Sequence, residues 1–282
     1  MHTTNKYFAI GAAILLLAVT LMMSFGAVGL ALSETLSSFM APTATPPPGD
    51  PIPLKPVTGL TSLNATVNIG VNGLINGERA QGDLQAVVTT NDQKQSKVTV
   101  TGSLLGEIAA QVGGSVVGLF TPSSVDIYKV PEGTYIVVNS FVPVCVKPKP
   151  KSTDSLDDFS PQGLLSMLTS SDVARGKFVG DETLNGAPVK HYVINGEAFL
   201  AAAKKSSNPK LKSFGEALWS AEDADLFVDA KGGFPVAFSG AYSGEYEPLK
   251  FEGDFTVQTQ ITGVNQNTPV NLPKSCNNPI TP

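Results

Sequence analysis

The chain has 282 residues, 42% hydrophobic and only 15% charged, with a net charge of −5. A globular protein ordinarily carries about 25% charged residues. The acidic balance, without a basic run interleaved with aromatics, excludes nucleic acid as a partner and argues against general attraction of the domain to anionic headgroups.

From Tyr7 to Leu32 no residue is charged, and AILLLAV is followed by LMMSFGAVGLAL. About 20 apolar residues span a bilayer, whereas the apolar core of a cleaved signal runs about 7–15. Residues 7–32 are therefore expected to be a retained transmembrane helix, with a weak cleavage site at Gly29-Leu30-Ala31 as the alternative. Lys6 precedes the segment and Glu34 is the first charge after it. Positive charge stays inside, which makes residues 1–6 cytoplasmic and the C-terminal part extracytoplasmic, on a single-pass anchor in the cell membrane. No cysteine near the segment's end offers a lipid attachment point. Residues 33–56, SETLSSFMAPTATPPPGDPIPLKP, read as a Pro-rich spacer.

Residues 57–282 carry a strand pattern. Leu63, Ala65, Val67, Ile69 and Val71 alternate with Asn64, Thr66, Asn68 and Gly70, and Leu84, Ala86 and Val88 repeat the alternation. Val98 and Val100 follow in a Thr-rich run. VDIYKVPEGTYIVVNSF reads as two strands joined at Pro-Glu-Gly. Gly102 to Phe120 is apolar and Gly-rich, either a buried strand with a turn or a flap over a cavity. Towards the C-terminus, Val236, Phe238, Gly240, Tyr242 and Tyr246 fall on one face, as do Leu249, Phe251, Phe255, Val257 and Ile261. Strands this long with one apolar face belong to an antiparallel sheet covered on one side, and glycines at 240, 244 and 253 suit bends in it. Three helices are expected: Pro161–Thr169 behind Ser160, Glu197–Lys205 with acid first and base last, and Leu211–Trp219 after Pro209. The fold class is α+β: a strongly curved antiparallel half-barrel with a few short helices over its concave face, preceded by the N-terminal transmembrane helix.

Cys145 and Cys276 are the two cysteines. In an exported chain they point to one disulfide, and neither has metal-ligand neighbours at useful spacing. His191 is the one histidine outside the N-terminus, on the strand-like VKHYVI, and reads as structural. There is no G-x-S-x-G, H-E-x-x-H or phosphate loop. The acidic groups Asp154, Asp157, Asp158 and Glu222, Asp223, Asp225 read as solvated charge. Asn64-Ala65-Thr66 is a glycosylation sequon by pattern. No metal, cofactor or catalytic residue is expected, and the chain does not read as an enzyme.

The strands SLNATVNIGVNGLI, the hairpin VDIYKVPEGTYIVV, the strand-to-helix passage GDETLNGAPVKHYVINGEAF and the turn ADLFVDAKGGFPVAFSGAY together resemble the LolA-like group of bacterial extracytoplasmic lipid carriers, especially its LppX/LprG type. The turn residues that carry this are Asp229, Gly232, Gly233 and Pro235. The resemblance covers most of residues 60–272 and implies a half-open barrel around a cavity that holds acyl chains. It departs from the LppX type in lacking the lipid-modified cysteine. Strand alternation nominates Val67, Ile69, Val100, Phe238, Tyr242, Phe251, Phe255 and Val257 to face a lipid or other apolar small molecule. The competing expectation is a structural or protein-interaction ectodomain of a cell-envelope complex with no small ligand. A hydrolase would need a buried carboxylate pair.

Overall fold

The computed structural model describes residues 49–55, 61–75, 77–106, 122–148, 174–206, 209–246 and 250–281. The expected membrane span 7–32, the helix Pro161–Thr169, the acidic group around Asp157 and the greater part of Gly102–Phe120 lie outside them. Among the described residues no helix is long and apolar enough to cross a membrane.

The chain forms β1 (Asp50–Pro51), β2 (Leu63–Ile75), β3 (Glu78–Thr90), β4 (Ser96–Thr101), β5 (Ser124–Val130), β6 (Gly133–Asn139), β7 (Val144–Val146), β8 (Arg175–Leu184) and β9 (Ala187–Ile194). Helices α1 (Gly196–Lys205) and α2 (Pro209–Ala217) follow. Then come β10 (Leu218–Ala221), β11 (Ala224–Asp229), β12 (Pro235–Tyr246) and β13 (Phe251–Val264). The strands join one 13-stranded sheet in the order β1-β8-β9-β11-β12-β13-β2-β3-β4-β5-β6-β7, with β10 paired to β12. The ladders between its named strands are antiparallel. β1 and β7 are its two edges, so the curved sheet is open.

Local chemistry explains the connections. Asn185 and Gly186 both have positive φ, 53° and 79°, the two-residue turn whose twist suits a hairpin. The Asp229 carboxylate accepts from the backbone N–H groups of Lys231 and Gly232 and closes the β11–β12 turn. Gly73 and Gly253 are register partners, and a Cβ on Gly253 would come 2.5 Å from the Gly73 Cα. That approach lets β2 and β13 bend across one another.

Four expectations need correction. Residues 49–55, read as the end of the spacer, lie on the sheet: Asp50–Pro51 pair with β8, Ile52 is buried and its N–H donates to the Ala174 carbonyl at 2.9 Å. The helix expected over Leu211–Trp219 begins at Pro209 and stops at Ala217, because Leu218 is taken into pairing with Gly244. Val236 does not share the face of Phe238. A register shift opposite Phe227 and Val228 makes Val236 the unpaired residue and pairs Pro235 in its place. Ile261 sits at the corresponding shift in β13 and is only half-buried.

Burial divides into two clusters. The larger lies on one face of the sheet and includes Ile69, Leu84, Val100, Leu226 and the helix residues Phe199 and Phe214. The smaller lies behind β5 to β7, where Tyr128, Val130, Tyr135 and Val137 meet Val270 and the Cys145–Cys276 pair of the C-terminal segment. Those two cysteines form the disulfide, across a sequence separation of 131.

Candidate functional site

Register assembles the site. Phe178, Tyr192, Leu226, Phe238, Thr259, Val67, Ala86, Val100, Val125, Val138 and Val144 stand opposite one another in that order, one from each of eleven adjacent strands. Directly paired residues of an antiparallel sheet share a face, so this is one row, and Thr259 is its single polar member. A second row runs Gly240, Val257, Ile69, Leu84. A third runs Tyr242, Phe255, Val71, Gly82, and the Phe251–Ile75 pair lies beyond it.

All eight nominated residues, Val67, Ile69, Val100, Phe238, Tyr242, Phe251, Phe255 and Val257, therefore stand on the same face, and all eight belong to the larger buried cluster. Alternation in the sequence puts them on one face because the side-chain period of a strand is two.

The helices cover this face at one place. Phe199 of α1 and Phe214 of α2 reach Tyr242 with ring centroids 6.0 Å and 5.8 Å away, and their own rings are 6.4 Å apart. Tyr242 stacks on Phe255 at 5.5 Å, and Phe255 meets Phe251 edge-on at 6.2 Å. These contacts join helices and sheet in one aromatic cluster. Burial pushes the Tyr242 hydroxyl far above its ordinary range, so it stays protonated and neutral. Leu104 and Leu105, fully buried, add cover above β3, where glycine at position 82 makes room: a Cβ there would meet the Leu104 side chain at 2.9 Å. Phe199 and Phe214 are not among the nominated residues, although both fall within the helices expected from the sequence.

The polar features lie elsewhere. The His191 ring bridges β8 and β11, with Nδ1 2.8 Å from Glu182 Oε1 and Nε2 2.8 Å from Asp225 Oδ1. Phe227 stacks on it at 4.5 Å. Burial lowers its pKa, but hydrogen bonds and charge from the two carboxylates outweigh this and leave it raised. Asp223 accepts from the Gly196 N–H at 2.9 Å and from Asn195 Nδ2 at 3.0 Å, while Asn195 Oδ1 takes the Ala198 N–H. Two of the three carboxylates in that acidic group thus serve the fold, as a strand tie and a helix cap. Asn64 of the sequon lies within β2, half-buried.

An open depression of about 620 Å³ lies on the opposite face, where Ser220, Ser243, Asp254, Asn72 and Gln81 form a polar row across five strands. The four residues of the third row, Val71, Gly82, Tyr242 and Phe255, also line it. Among the described residues no group of three or more His, Cys, Asp or Glu is placed to hold a metal ion.

The chain is similar in structure to LprF from Mycobacterium bovis, with 11% identity over 77% of this chain and 90% of that one, at a TM-score of 0.39. It is similar to a putative outer membrane lipoprotein-sorting protein domain from Vibrio parahaemolyticus, with 9% identity over 78% and 91% and a TM-score of 0.22. A DUF1329 family protein from Desulfovibrio piger gives 9% identity over 76% and 88%, with a TM-score of 0.21. LprF and the lipoprotein-sorting domain are of the kind that the sequence resembles. No family model and no curated protein matches the sequence.

Proposed function

We propose that this chain is an extracytoplasmic binding protein for lipid or another hydrophobic molecule, which it takes up between the curved sheet and the elements covering it. The observation that carries this reading is the row of eleven residues with one polar member, on the face that two helices of 10 and 9 residues meet at Tyr242. Burying apolar area is worth about 25 cal/mol per Å² whether a side chain or a ligand does it, so a ligand can stand in for side chains as cover over this face. Val67, Ile69, Val100, Phe238, Tyr242, Phe251, Phe255 and Val257 are the proposed contacts. The face offers aliphatic and aromatic groups and a neutral phenol, which suit an acyl chain and give no nucleophile or base for chemistry on it.

The disulfide supports an oxidising compartment. Residues 7–32 are proposed as the anchor and the Pro-rich stretch after them as the spacer, holding the domain at the outer face of the membrane.

The test is to purify residues 49–282 without detergent, extract the folded protein with organic solvent and search the extract by mass spectrometry. A lipid present in stoichiometric amount, and excluded by a bulkier side chain such as Val100→Trp, is the expected result. A folded domain that carries no lipid and takes none from vesicles would sink the reading.

A further inference from the structure

Behind the apolar rows the sheet carries a polar one. Ser220, Ser243, Asp254, Asn72 and Gln81 stand opposite one another on β10, β12, β13, β2 and β3 and line the open depression of about 620 Å³. That volume lies within the range of about 300–1,000 Å³ usual for ligand sites. Val71, Tyr242 and Phe255 of its lining are buried. The groups it offers a ligand are therefore mainly hydroxyls, amides and carboxylates.

Local structure keeps these groups open. Gly70 lines the depression without a side chain, and a Cβ there would come 2.7 Å from Thr256 Oγ1. On the same face Gln85 Nε2 donates to Asn68 Oδ1 at 2.9 Å, so the amides of that pair are tied to each other. Asn72 and Gln81 are register partners too, yet neither side chain has a hydrogen-bond partner among the described residues. The Ser243 hydroxyl donates to Asp254 Oδ1 at 2.7 Å. That bond orients the carboxylate and leaves its second oxygen to accept from a ligand.

The lining decides which occupant suits it. Asp254 and Glu222 line the depression, and no described lysine, arginine or histidine does. A phosphate or carboxylate ligand would meet the wrong charge. Among the described residues no group of three or more His, Cys, Asp or Glu is placed for a metal ion. A peptide added as a strand needs an unpaired edge, but β12, β13 and β2 are paired on both sides here. A neutral molecule dense in hydroxyl groups meets the donors and acceptors present. Adjacent strands lie about 4.8 Å apart, close to the length of one pyranose unit. A linear glycan laid across the strands thus meets one polar side chain per sugar. Trp219, next to Ser220 on β10, is left unpaired by the β10–β12 register shift and is 52% exposed. It offers a ring face to the C–H side of a sugar. We propose that the depression is a glycan-binding site, which takes a linear neutral oligosaccharide across the strands with its hydroxyls on Asn72, Gln81, Ser243 and Asp254. The site does not depend on a ligand on the apolar face. It gives the domain a hold on polysaccharide while that face is engaged elsewhere.

The full chain, held in a sugar-free polyoxyethylene detergent, is titrated by calorimetry with the pentamers of cello-, xylo-, manno- and N-acetylchito-oligosaccharides. The corresponding monosaccharides are the length control, and a galacturonate pentamer is the anionic control. The expected result is binding of at least one neutral pentamer, with its monosaccharide at least about tenfold weaker and the galacturonate unbound. Asn72 and Gln81 are exposed, so replacing them leaves the core intact. Asn72→Ala with Gln81→Ala should weaken the binding at least about tenfold through the lost hydrogen bonds. Val100→Trp, on the apolar face, should leave it unchanged. Failure of every neutral pentamer to bind overturns the proposal. So does equal affinity for the galacturonate, or full affinity in the doubly substituted chain with its circular dichroism unchanged. Lipid in the solvent extract is read separately, so either result can fail alone.

Discussion

Tyr242 on β12 and Phe255 on β13 are register partners whose rings stack 5.5 Å apart with 29° between their planes. Both helices seat on this pair, through Phe199 and Phe214 against Tyr242. Phe255→Ala is expected to cost about 3–5 kcal/mol, the range for deleting a buried phenylalanine. A double-mutant cycle with Tyr242→Ala should return a coupling of about 0.5–1.5 kcal/mol, as aromatic pairs give beyond area burial. Urea titration of the four chains measures both. A coupling of zero would mean that the helices sit on the sheet independently of this stack.

His191 makes one edge of the sheet pH-dependent. Both ring nitrogens face carboxylate oxygens at 2.8 Å, so only the doubly protonated ring can donate at each. Burial opposes that charge, and the bonds and charges of Asp225 and Glu182 more than reverse the effect, which raises the folded-state pKa. A raised pKa contributes stability that is complete below the unfolded value of about 6.5 and is lost as pH climbs through the folded value. Stability should therefore decline from about pH 6.5 upward, and His191→Gln should flatten the decline. Denaturant midpoints across this window check it. An unchanged slope in the variant would place the sensitivity at another group.

The strands are legible in the sequence because their signal is local. Leu63 to Val71 alternate without interruption, and the alternation predicts both the strand and its buried face. The two register shifts are not legible, since Val236 and Ile261 look like continuations of their patterns and only the neighbouring strands make them irregular. The partners of His191 lie 9 and 34 residues away, and Asp223 caps a helix start 27 residues before it. No spacing rule joins residues so far apart. The face of the candidate site is readable on the same terms as the strands. The width of its continuous row is not, because the order β11-β12-β13-β2-β3 brings the C-terminal strands beside the N-terminal ones.

Two glycines with positive φ separate backbone freedom from crowding. Gly77 has φ +81°, and a Cβ there would meet nothing within 4 Å. Gly253 has φ +152°, and its Cβ would face the Gly73 Cα at 2.5 Å. Gly77→Asn should be nearly neutral, since asparagine tolerates the left-handed region. Gly253→Ala should cost about 1–3 kcal/mol, because the backbone of β2 must move to admit the methyl group. Thermal unfolding of the two variants decides it. Equal losses would show that conformation alone, and not the close crossing of β2 and β13, fixes glycine at 253.

The last prediction concerns the C-terminal segment. Val270, Leu272 and Cys276 pack behind β5 and β6 against Tyr128, Val130, Tyr135 and Val137. The bond from Cys276 to Cys145 closes a loop with a sequence separation of 131. A loop that long restricts the unfolded chain strongly, and removing a native disulfide typically costs about 2–5 kcal/mol. Replacing both cysteines with alanine should lower the free energy of unfolding by that amount, measured by denaturant titration in oxidising buffer. It should also open the segment after Val264 to protease before the rest of the sheet, because the small cluster behind β5 and β6 is separate from the main core. Simultaneous cleavage throughout the chain would show instead that the segment and the sheet unfold as one unit, and that the disulfide stabilises the whole sheet through its β7 edge.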